Sequence, residues 1–120
     1  MKLDPELIKN ILQFCEDKLP DDNLSYSPSD MKFDGFTEQQ ILFHVKLLCQ
    51  NGYLDYIDSS SVRGFDCWIN HLTMNGYQYL NLLNSKAWNT AKGLVHELGV
   101  IFAEGAIKAI IDRFGSNYLP

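Results

Sequence analysis

The sequence predicts a mainly α fold with a small β-hairpin, an α+β domain, and three observations predict it. Capping residues followed by apolar positions at three- and four-residue spacing recur at Asp4, Thr37 and Thr73. Two short segments rich in aromatic and branched residues, 53–58 and 65–69, flank a polar turn-like stretch. The chain has 120 residues, 46% apolar and 21% charged, with mean hydropathy near zero, which is enough chain for one core and too little for two.

The elements follow in order. Asp4-Pro5 starts a helix, an acid as cap and proline at the first helical position, where its missing N–H costs nothing. Leu7, Ile8, Ile11, Cys15 and Leu19 form its apolar stripe, and the helix runs to about Lys18 before Pro20-Asp21-Asp22-Asn23 breaks it. The stretch to Gly35 reads as a loop with a short extended segment or a turn of helix. Thr37 and Gln40 make a capping box for a second helix, 37–50, with Ile41, Val45 and Leu48 on its apolar face and Asn51-Gly52 as its stop. Gln39, Phe43, Lys46 and Gln50 fall on the other face, with His44 at the border as a surface or capping histidine.

Residues 53–58 and 65–69 are the strands of the hairpin, and 59–64, with Val62 and Arg63, is the turn between them. Thr73 caps a third helix of some 25 residues ending at Gly99, with a kink expected near Asn84-Ser85. Gly76 lets this helix approach the hairpin, and Tyr77, Leu80 and Trp88 pack. A last helix spans about 102–114. Helix, loop, helix, Gly, strand, polar wing, strand, helix is the order of a winged helix-turn-helix core, 1–72, with a C-terminal helical extension, 73–120, packed on it as one domain.

The segment Ile41 to Leu54, with His44, Gly52 and the apolar residues around them, resembles the recognition-helix signature of bacterial winged-helix proteins. Leu72-Thr73-Met74-Asn75-Gly76-Tyr77-Gln78-Tyr79-Leu80, followed by Trp88, resembles the Leu-Thr-x-x-Gly-x-x-Phe/Tyr-Leu motif of the YjcQ-like family. That family is a winged-helix domain of unknown function from bacteria and their phages. The resemblance covers about residues 3 to 95 and implies the fold; each residue in the motif also has an architectural reason to be there, as cap, close contact or core.

Chemistry of other kinds finds little support in the residues. His44, His71 and His96 have no metal-ligand spacing, no phosphate-cradling glycine loop or nucleophile elbow occurs, and Cys15, Cys49 and Cys67 include no Cys-x-x-Cys pair. The expectation is a non-enzymatic, cytoplasmic protein with no cofactor, no metal and no membrane association. Glu16-Asp17 with Asp21-Asp22 lacks calcium-loop spacing and reads as a solvated helix end.

Two functions remain. Residues 1–60 carry eleven acids against five lysines and residues 61–120 four acids against five bases, so the acidity is N-terminal and opposes a polyanion. As a DNA-binding regulator, the domain would set helix 37–50 in the major groove, with Gln39, Gln40, Phe43, Lys46, Gln50 and Arg63 as contacts. As a phage- or prophage-associated protein-interaction module, it would use an exposed Phe43, the acidic half and the apolar last helix on a protein partner. The wide apolar arc of 102–114 further suggests a homodimer through Trp88, Phe102, Ile107, Ile110 and Phe114, which doubles the few bases available to DNA.

Overall fold

A computed structural model of the protein describes residues 3–18, 25–86, 88 and 89. Helix α1 spans Pro5–Lys18, and its N-terminal amides are satisfied by Asp4, whose carboxylate accepts from the N–H groups of Glu6 and Leu7 at 2.9 and 3.4 Å. Helix α2 spans Glu38–Gln50 and closes the expected capping box: Gln40 N–H donates to Thr37 Oγ1 at 3.1 Å, and Thr37 N–H to Gln40 Oε1 at 2.8 Å. It ends where Gly52 takes φ +80°, so that Tyr53 N–H reaches back to Leu48 O at 2.9 Å and Gly52 N–H to Cys49 O at 3.2 Å.

Strands β1 (Leu54–Asp58) and β2 (Cys67–Leu72) pair antiparallel, with Ile57 opposite Trp68 and Tyr56 opposite Ile69, and the register shifts between Asp55 and Tyr56. The second strand therefore lies later than the 65–69 read from the sequence: Phe65 and Asp66 belong to the wing. Within the wing, Ser61 and Gly64 exchange backbone hydrogen bonds of 3.1 and 3.0 Å around Val62 and Arg63. On the far side of β2, Tyr26 exchanges two backbone hydrogen bonds with Ile69, at 3.0 and 2.7 Å. The stretch between α1 and α2 thus supplies both a one-residue strand contact and a single 3-10 turn, Pro28–Asp30. Helix, strand contact, helical turn, helix, strand, wing, strand is a winged-helix-like order, in an α+β fold.

Helix α3 spans Met74–Leu83. Thr73 joins it to the turn after α2: its hydroxyl donates to Gly52 O at 2.6 Å and accepts from Gly76 N–H at 3.1 Å. A Cβ on Gly76 would collide with the carbonyl oxygen of Tyr53, so the close approach expected of this glycine is real. The expected 25-residue helix is broken at Asn84-Ser85, where the kink was expected; Ser85 Oγ donates to Leu82 O at 2.7 Å and accepts from Trp88 N–H at 3.1 Å, capping a new helical turn. Tyr77, expected to pack, is 43% exposed, and Tyr79 is the buried ring, because the face turned to the core carries Gly76, Tyr79, Leu80 and Leu83. The core joins Leu7, Ile11 and Leu12 of α1, Val45 of α2, Ile69 of β2 and Leu80 of α3. The expected helix 102–114, with Phe102, Ile107, Ile110 and Phe114, lies outside the described residues, as do Leu19, Asp21 and Asp22.

Candidate nucleic-acid interface

At 100° per residue, burying Ile41, Val45 and Leu48 turns Gln39, Phe43, Lys46 and Gln50 to the opposite side of α2. Gln39, Lys46 and Gln50 are exposed, and nothing in the core needs them. Phe43 is only half-exposed, its ring edge-on to that of His44 at 5.5 Å, so it is not the free aromatic that the sequence suggested. Gln40 uses its amide oxygen in the capping box, which removes the acceptor half of the pair that reads adenine while the box is closed.

The wing stands beside the N-terminal half of α2. An open cleft of about 320 Å3 separates them, lined by Pro28, Leu42 and Phe65 and by the charged groups of Glu38, Arg63 and Asp66. Arg63 and Lys46 are the cations of this surface, and Glu38 and Asp66 balance them, so the structure gives it no net positive charge. The sequence reading passed over Glu38 and Asp66; their signal was position, the first residue of the helix and the last of the wing.

His44 is not a surface residue. It is 1% exposed, its Nδ1–H donates to Gln40 O at 2.7 Å, and its Nε2 accepts from Asp4 N–H at 2.9 Å. It does cap, but it caps another helix: the ring ties the start of α1 to the middle of α2. Accepting at Nε2 requires the neutral ring, and burial, opposed by the Gln40 carbonyl and the Asp4 charge, holds its pKa below the ordinary 6.5. His71 lies on β2 near its end, with Nδ1–H donating to Leu72 O at 2.9 Å and Nε2 3.5 Å from Asp55.

The three cysteines are buried. Burial, reinforced by Cys67, pushes the Cys15 thiol up to about 12, and a hydrogen bond to Cys67, with burial, keeps the Cys49 thiol protonated. Among the described residues no group of three His, Cys, Asp or Glu side chains is arranged to hold a metal ion, and no helix is long and apolar enough to cross a membrane. Trp88, assigned from sequence both to packing and to a dimer face, is 1% exposed and sits in the core of the single chain, which withdraws it from an exposed contact surface.

Comparison with known proteins adds a family and no activity. The chain is 28% identical over 88 residues to an uncharacterized protein of Haemophilus influenzae, an alignment that covers 72% of this chain and 75% of that protein. No solved structure matches it significantly. The model of the family described as Hypothetical protein (DUF2513) matches residues 2–101, most of its length, and the chain belongs to that family.

Proposed function

We propose that the protein is a DNA-binding winged-helix regulator that sets α2 in the major groove and brings the wing to the phosphate backbone. The observation that carries this reading is the division of α2 into a core face and an outward face of Gln39, Lys46 and Gln50 beside a wing bearing Arg63. The resemblance of the Leu72–Leu80 motif to the YjcQ-like family supports the same fold and a bacterial, phage or prophage setting, in the cytoplasm. Lys46 and Arg63 supply two phosphate contacts per copy, so the affinity of one copy is low, and a homodimer through 102–114 raises it.

Binding of random duplex DNA at low salt tests the proposal. The logarithm of the affinity should fall against the logarithm of salt with a slope of about −2 for one copy and about −4 for a dimer. Lys46→Glu with Arg63→Glu should abolish binding. No binding by the parent at low salt, or equal binding by the double variant, overturns the reading.

A further inference from the structure

The cleft between α2 and the wing is lined by charges that the fold leaves unused. The guanidinium of Arg63 and the carboxylates of Glu38 and Asp66 border it, and among the described residues no ion pair joins the cation to either acid. Between them the lining is apolar: Pro28 is buried, and Leu42 and Phe65 are half-buried. The volume, about 320 Å3, is at the low end for small-molecule sites, which run from about 300 to 1,000 Å3, so the cleft suits a guest of amino-acid size.

Both walls are held in place by their own hydrogen bonds. On the wing, Asp66 N–H donates to Ser60 Oγ at 3.1 Å, its carbonyl accepts from Ser59 N–H at 3.0 Å, and its Oδ1 accepts from Cys67 N–H at 2.8 Å. On the opposite wall Glu38 is the first residue of α2, next to the Thr37–Gln40 capping box. A guest therefore meets backbone already ordered, which lowers the cost of binding. The charges then select among guests. A phosphate group meets two acids for one base, and a diamine leaves Arg63 without a partner. One cation and two anions are matched in full by one carboxylate and two cations.

We propose that the cleft between α2 and the wing binds a free α-amino acid with a basic side chain. The α-carboxylate and α-ammonium share one carbon, so they take partners on one wall: Arg63 and Asp66, three residues apart in the wing. The side chain crosses the cleft with its methylenes against Leu42 and Phe65 and its cation at Glu38. Binding is weak, with a Kd on the order of 1 mM, because the charges stand in an open cleft. The proposal needs no DNA, and its test contains none, so it succeeds or fails apart from the proposed function.

The test follows backbone amide shifts of the full chain by NMR at constant ionic strength while L-arginine is added to about 20 mM, well past that Kd. Saturable shifts are expected within 28–42 and 59–66. Three comparison ligands each lack one charge: agmatine the carboxylate, Nα-acetyl-arginine the ammonium, norleucine the side-chain cation. Each binds about threefold or more weakly than arginine. Removing the matching protein group removes the matching preference: Arg63→Gln binds arginine and agmatine alike, Asp66→Asn arginine and Nα-acetyl-arginine, and Glu38→Gln arginine and norleucine. Four results overturn the proposal: no saturable shift; shifts that map outside the cleft; a comparison ligand that binds as well as arginine; or preferences that survive in the variants.

Discussion

The α1–α2 junction and the hairpin contain the same kinds of side chain, isoleucine, aspartate and histidine, and put them to opposite use. At the junction Ile11 is 0% exposed and His44 is shut between two backbone groups. On the hairpin Ile57 and His71 face water. Burial is the variable that differs, and it decides whether a residue stabilises the fold or remains available to a partner.

The largest expected effect comes from pairing the two isoleucines. Ile11→Ala should cost about 2–5 kcal/mol, the transfer term plus the cavity left in a full core, whereas Ile57→Ala should stay within about 0.5 kcal/mol. Urea unfolding with an unchanged m-value measures both. A cost above about 1.5 kcal/mol for Ile57→Ala means the outer face is covered in the free chain, and the contrast between the regions collapses.

Next in size is the response to pH. His44 has its folded pKa below the ordinary 6.5, so in acid the unfolded chain binds a proton that the folded chain refuses. Stability is therefore complete above about pH 6.5 and is lost as pH falls toward the folded value, at no more than about 1.4 kcal/mol per pH unit for one proton. His44→Leu should be less stable at pH 7 by about 1–3 kcal/mol, since it takes the ring's hydrogen bonds from both the Gln40 carbonyl and the Asp4 N–H, and it should lose that acid slope. Urea midpoints between pH 5 and 8 for parent and variant separate the two effects. An unchanged slope in the variant places the proton elsewhere.

What the sequence made legible was local. Asp4, Thr37 and Thr73 were readable as caps because each bonds amides two or three residues away, and Gly52 and the Asn84-Ser85 break were readable because their causes lie in their own turn. The α+β class followed from those signals. Contacts across long separations were not legible: His44 meets Asp4 forty positions earlier, Thr73 meets Gly52 across a strand pair, and Tyr26 joins the sheet through one residue. Strand limits shifted because pairing, and not composition, ends a strand, and Tyr77 changed places with Tyr79 because helical spacing alone leaves the orientation of a short helix open. At the candidate interface, the outward positions of α2 were readable from periodicity. The exposed Ile57–Trp68 pair was not, since its register is fixed only once the shift between Asp55 and Tyr56 is known.

The smallest expected effect lies in the hairpin's polar pair, and its smallness sharpens the contrast with His44. His71 Nε2 is 3.5 Å from Asp55 Oδ2, and both side chains are about half exposed, at 47% and 49%. The imidazole already donates Nδ1–H to Leu72 O, so it counts as a partner for Asp55 only when it carries a second proton. Asp55 has another donor in Asn70, which keeps the carboxylate in place when the ring is removed. Water screens what remains of the attraction, and exposed pairs of this kind contribute well under 1 kcal/mol. A double-mutant cycle of Asp55→Asn and His71→Ala at pH 7 should therefore give a coupling within about 0.5 kcal/mol. A coupling several times larger requires a pair shielded from water, which returns the hairpin to the same regime as the junction.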